Sequence, residues 1–341
     1  MNNGNEKSNC YTYVDGAGFA KPTPDISEKK IIKEYSSDLA WIVLLNYGAM
    51  LLLPFLLFRF ISRYAPIMRF LTGSYAYENI AFVISSIVSY VLPIALPILL
   101  FALLLNVPPR VALPFAKISL GDTLLMLMMT LAIGVIGSYS DSSVQRIIKH
   151  FSFESFPQDP YLQSWHELVS FLIIYLLLIP IIEELCYHGV VLQSLRRFGD
   201  RFAIVVSSFI YALSQFNIST FLSSFALSLV VGYFILRTNS LRTGLIIHAL
   251  TNLIFLTSDL ACSYLPSKLV GPASNLFAII FLILGIAGFL AMSKRYKNFF
   301  YLNQTKAGPS NHTKLKWFFL CPTTIIITLI ILSFSVSPIY F

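Results

Sequence analysis

The sequence predicts an all-α fold, a polytopic bundle of transmembrane helices with about eight core helices and one more at the C-terminus. Three observations carry this expectation. Hydrophobic residues make up 56% of the chain and charged residues only 12%, where a soluble domain carries about 25% charged residues. Mean hydropathy is +0.74. Apolar runs follow one another along the chain, many of them at or above the roughly 18 residues that let a helix cross about 30 Å of hydrocarbon.

Read in order, a polar tail over 1–39 carries Lys7, Lys21, Lys29, Lys30 and Lys33 and no apolar h-region. That argues against a cleaved signal peptide and makes the first membrane helix its own targeting signal. The YTYVDGAGFAKPTPD stretch of the tail is punctuated by Gly and Pro and reads as a disordered or docking segment. Helices are expected near 40–61, 79–106 and 118–138, an N-terminal group over 40–160. A core over 161–293 holds helices near 166–194, 202–217, 219–236, 242–258 and 273–293. A basic loop and a helix near 317–336 complete the segment 294–341. The helices near 202–217 and 219–236 are short and joined only by NIST, so they also suit a re-entrant hairpin buried in protein.

Lys and Arg set orientation more than acids do. With nine crossings, only Arg59, Arg63, Arg69, Arg146, Lys149 and Lys268 of the 24 basic residues fall on the side opposite the N-terminal tail. The bias places the N-terminus in the cytoplasm and the C-terminus outside, in a multi-pass protein of the plasma membrane. The net charge of +8 then belongs to loops beside anionic lipid rather than to a nucleic-acid site. The four cysteines Cys10, Cys186, Cys262 and Cys321 lack CxxC spacing, so neither a disulfide framework nor a thiolate metal site is indicated.

Chemistry concentrates in PIIEELCYHG, Pro180 to Gly189, at the end of an apolar run. Glu183 and Glu184 precede Arg196 and Arg197 by about 20 Å at 1.5 Å per residue, which puts them near the bilayer midplane. A charge there costs at least about 2.5–3.5 kcal/mol, and adjacent carboxylates repel, which favours a proton on one of them. Residues four apart share a helix face, so Glu183 aligns with Tyr187 and Glu184 with His188. Pro180 removes a helical hydrogen bond and kinks the helix beside the acids. In LIIHALTNLIF, His248 and Asn252 are again four apart, with His248 roughly 9 Å from Arg242 by the same rise. A third polar group is YALSQFN, Tyr211 to Asn217, where Gln215 and Asn217 carry amides able to donate to an oxyanion or to join helices.

Two patterns are set aside. WHELVS begins like HExxH but has Ser170 in place of the second histidine, so it is not a zincin. Ser207, Ser208, Ser224 and Ser228 have no GxSxG context and read as small packing residues. Buried acids beside a proline also suit an ion-coupled transporter, but the internal repeats of that class are not evident.

The order of these polar groups resembles the CAAX protease and bacteriocin-processing (CPBP) family of intramembrane proteases, which includes the CAAX prenyl endopeptidases. Its pattern is EExxxR, then FxxxH, then HxxxN or HxxxD. EELCYHGVVLQSLRRFG looks like the first motif, SSFIYALSQF occupies the place of the second, and GLIIHALTN looks like the third. The resemblance implies an endopeptidase acting on a membrane-associated or lipidated peptide or protein. Glu183 would activate water, Glu184 would support it, and His248 and Asn252 would stabilise the oxyanion, with Tyr187 and Tyr211 on the substrate-binding wall. It leaves zinc or no metal open, Glu183 and His248 being the ligands if a metal is present. Two motif positions depart: His188 stands for the arginine and Gln215 for the second-motif histidine. Glutamine neither acts as a base nor readily ligates zinc, so the alternative is a pseudoprotease that uses the same groove to scaffold a partner membrane protein.

Overall fold

A computed structural model describes residues 12–14, 18–20, 27–72, 81, 83–105, 107–150, 165–302 and 309–336. Most of the expected polar tail, with Lys7, Cys10 and Lys21, lies outside the described residues. Two tail pieces, Thr12–Val14 and Gly18–Ala20, pair as an antiparallel hairpin in the register Thr12↔Ala20. Apart from them the fold is all-α.

Among the described residues seven helices are long and apolar enough to cross a membrane: Glu28–Ile67, Val83–Leu104, Leu120–His150, Leu168–Phe198, Phe221–Thr238, Leu241–Ser263 and Ser267–Arg295. An eighth crossing is available if Asn311–Phe319 and Pro322–Ser335, bent by 65° to each other, form one span. The chain is a multi-pass membrane protein. The first helix starts at Glu28, well ahead of the apolar run at residue 40, because EKKIIKEYSS carries helix formers and an acidic first turn.

Against the nine crossings expected, the described residues hold seven or eight helices long and apolar enough to span. The fifth segment is helical but only 14 residues long, Asp200–Leu213, which is about 21 Å against the roughly 30 Å of a hydrocarbon core. Loop assignments beyond Phe198 therefore no longer follow from counting.

Local chemistry explains the breaks. Gly199 has φ 112°, a conformation that glycine adopts without steric cost, and it turns the chain between Phe198 and Asp200 in one residue. Arg196 Nε donates to Asp200 Oδ1 at 3.0 Å across that turn. Asn239, left-handed at φ 48°, ends Phe221–Thr238. The start of Leu241–Ser263 is capped by an extended strap: Leu241 N–H donates to Pro114 O at 2.8 Å and Ala116 N–H to Asn239 O at 3.3 Å. Those contacts satisfy backbone groups that a helix end leaves open.

Two apolar clusters flank the helix Leu168–Phe198. One joins its face at Tyr187, Val191 and Leu195 to the first helix at Ile32 and Leu39 and to Phe202 and Phe318. The other gathers Met126 and Leu131, Phe234 and Ile235, Ile247 and Phe281. The basic end is laced shut: Lys314 Nζ donates to Phe198 O at 3.1 Å and meets Glu28 Oε1 at 2.6 Å. Arg295 meets Asp122 at 3.1 Å.

Among the described residues Leu120–His150 packs most extensively against Ser267–Arg295, where lipid tails offer no hydrophobic drive and small residues supply the contact. A Cβ on Gly288 would lie 2.7 Å from Leu125 O, a backbone atom that cannot swing aside. Gly288→Ala is expected to cost about 1–3 kcal/mol, read as a lower melting temperature in detergent by tryptophan fluorescence. An unchanged temperature would refute the packing.

Candidate functional site

The helix carrying the acids is not a regular α-helix. It runs as α over Trp165–Ile173, π over Ile174–Leu178, α over Ile179–Glu183, π over Glu184–Val191 and α again over Leu192–Leu195. Pro180 has no N–H to give, and its ring crowds the preceding turn, so the ladder widens on either side. Glu183 and Glu184 stand at the second α-to-π junction. Both are turned inward, 6% and 3% exposed.

Three elements converge on them. From Leu241–Ser263, His248 places Nδ1 2.9 Å from Glu184 Oε1 and Nε2 3.7 Å from Glu183 Oε2. Only the Nδ1 contact to Glu184 is within hydrogen-bond reach; Nε2 faces Glu183 at ion-pair distance. From Asp200–Leu213, Tyr211 Oη donates to Glu183 Oε2 at 3.0 Å. From the turn after that helix, Gln215 Nε2 donates to Glu183 Oε1 at 3.3 Å. Hydrogen bonds to a charged group are worth about 1.5–3 kcal/mol, and these are among the partners that hold two carboxylates inside an apolar bundle.

The segment YALSQFN does not continue as helix to 217. It leaves the helix at Leu213, and Phe216 follows Gln215 at φ 49°. A buried phenylalanine in the left-handed region costs on the order of 1–3 kcal/mol and persists only where its surroundings demand it. Here the Phe216 ring packs 5.0 Å from Tyr47, and the turn presents the Gln215 amide to Glu183. Asn217 is a turn residue: its Oδ1 accepts from Ser219 N–H at 2.9 Å.

His188 is 2% exposed, with Nε2 3.4 Å from Ser228 Oγ and 4.0 Å from Glu184 Oε2. Tyr187 is packed inside, its Oη accepting from Asn46 Nδ2 at 3.3 Å and its ring edge-on to Tyr211 at 5.2 Å. Asn252 donates from Nδ2 to the backbone carbonyl of Tyr175 at 3.4 Å. Of the residues expected in the site, Glu183, Glu184, His188, Tyr211, Gln215 and His248 form one connected group. Asn252 stands one turn from His248 and Tyr187 lies behind Tyr211.

Four participants escaped sequence reasoning. Asn46 is a buried amide in WIVLLNYGAM, and a lone amide in an apolar span is itself a signal. Ser228, read as packing, faces His188. Gly232 and Gly244 leave room for the site: a Cβ on Gly232 would lie 3.1 Å from His188 Cε1, and one on Gly244 2.5 Å from Glu184 Oε2. Small residues one turn from a polar group were the available sign.

The donor set does not fit zinc. Among the described residues no three His, Cys, Asp or Glu side chains are grouped to hold a metal ion. Glu184 Oε1 is taken up by His248 Nδ1, and the position of the second-motif histidine holds the Gln215 amide, a poor substitute for the third protein ligand of a catalytic zinc.

Residues 165–254 match the family model of Rce1-like proteins, type II CAAX prenyl endopeptidase Rce1-like. The match takes in Glu183, Glu184, His188, Gln215, His248 and Asn252, and it supports the resemblance to the CPBP family drawn from the motifs. No curated protein and no solved structure matches the chain significantly.

Proposed function

We propose that this chain is an intramembrane endopeptidase of the CAAX prenyl protease type, hydrolysing a peptide bond of a membrane-associated or lipidated substrate. The observation that carries the reading is the buried cluster in which His248 faces both Glu183 and Glu184, inside the segment that matches the endopeptidase model. A carboxylate accepts about four hydrogen bonds, so Glu183 keeps acceptor capacity beside Tyr211 and Gln215 for a water. Glu183 takes the proton as the water oxygen attacks the scissile carbonyl carbon. The oxyanion accepts from His248 Nε2, while the Asn252 amide one turn further along that helix donates to Tyr175 O. When the C–N bond breaks, the proton on Glu183 passes to the departing amine. Glu184 holds the other edge of the imidazole through Nδ1.

One observation favours a second reading, a pseudoprotease that scaffolds a membrane partner. Gln215 stands at the second-motif histidine and closes Glu183 Oε1, which a proton-transfer partner would leave available. Purified chain incubated with a library of prenylated and membrane-embedded peptides separates the two. Cleavage by wild type is the expected outcome. Silence from wild type together with cleavage by Gln215→His would sink the peptidase reading in favour of the scaffold.

A further inference from the structure

We infer that Asn252 is a positioning residue that replaces the backbone hydrogen bond deleted by Pro180, so that amide and proline work as a pair joining the acid-bearing helix to the helix of His248. The segment Ile174–Leu178 runs in π register, and Ile179 N–H closes that register onto Ile174 O. One residue on, the same register requires the N–H of residue 180 to serve Tyr175 O. Residue 180 is proline, which has no N–H. The carbonyl of Tyr175 is thereby turned out of the ladder within a membrane span, where no bulk water can satisfy it. Asn252 Nδ2 stands 3.4 Å from that oxygen.

The consequence is geometric. A carbonyl accepts and cannot donate, so it fixes which end of the Asn252 amide faces it: the nitrogen points at Tyr175 and the oxygen away. Asn252 lies four residues beyond His248, on the same face. The two helices are thus pinned at two levels, His248 on Glu184 at 2.9 Å and Asn252 on Tyr175. With only the first pin, the imidazole is free to ride along the acids. A leucine or alanine at 252 would leave the Tyr175 carbonyl unpaired, unless position 180 regained an N–H.

That last condition is the test. Melting temperatures of the full chain in detergent are compared for wild type, Asn252→Ala, Pro180→Ala and the double variant. Loss of the amide should lower the melting temperature roughly twofold more in the proline background than in the alanine background, since an alanine at position 180 supplies the missing donor. Equal shifts in the two backgrounds would overturn the pairing. Where Asn252→Ala does not purify, Asn252→Ser passes through the same cycle. Pro180→Leu stands in for Pro180→Ala on the same terms, because any residue but proline restores the N–H. A second arm rests on the peptidase reading: with a prenylated peptide, the double variant should recover kcat relative to Asn252→Ala with KM unchanged. If wild type cleaves nothing, that reading fails and the melting cycle still decides the pairing. If wild type cleaves and the double variant recovers no kcat, the positioning role is overturned.

Discussion

Glu183→Gln is expected to reduce peptide cleavage by about 10²–10⁴-fold, the usual contribution of a positioned general base, with the fold retained. The glutamine is close to isosteric and keeps an oxygen to accept from Tyr211 Oη, which donates to Glu183 at 3.0 Å. Glu183→Ala should lose the same activity and also stability. It would strand the Tyr211 hydroxyl and the Gln215 amide, which now donate to the two oxygens of Glu183, and an unpaired buried polar group costs about 1–3 kcal/mol. Steady-state cleavage and melting temperature for wild type and the two variants read both effects. Wild-type rates in Glu183→Gln would remove the glutamate from the reaction. A partner membrane protein captured equally by wild type and Glu183→Ala, with no cleavage by either, would leave a scaffold whose groove does not need the acid.

The acids were legible from sequence because their cost is composition-independent: two carboxylates at the end of FLIIYLLLIP have no solvent, so something inside the bundle must answer them. Helix-face spacing found His188 at four residues from Glu184, and the pair remains together at 4.0 Å although the segment is π-helical. It could not find the side chains that answer Glu183, because Tyr211 and Gln215 come from another helix and from a turn that periodicity read as helix. The strained φ of Phe216 is the reason: no residue in SQFN announces a left-handed phenylalanine, whose ring packs on Tyr47, a residue of the distant first helix. The fifth helix falls short of a full span for a related cause. Asp200–Leu213 is apolar like a membrane helix, but its ends are set by Gly199 and by the turn at Ser214, not by hydrocarbon thickness.

The second large effect is expected at a residue with no functional group. Gly244 lies one turn before His248, and a methyl group there would come within 2.5 Å of both Glu184 Oε2 and Ile235 Cδ1. Ile235 and Glu184 are both buried, so relieving the overlap displaces the carboxylate as well as the isoleucine methyl. Glu184 holds His248 through a 2.9 Å contact to Nδ1, so displacing the acid rotates the imidazole away from Glu183. Overpacking of this kind costs about 1–3 kcal/mol, and a misplacement of about 1 Å in a reacting group costs about 10²-fold in rate. Gly244→Ala should therefore lose more activity than its fall in melting temperature accounts for. Gly271, where an added methyl group would meet nothing within 4 Å, supplies the control: Gly271→Ala should leave rate and melting temperature near wild type. Indistinguishable behaviour of the two alanine variants would mean that Glu184 does not depend on the space beside Gly244, and the supporting role of that acid would fall with it.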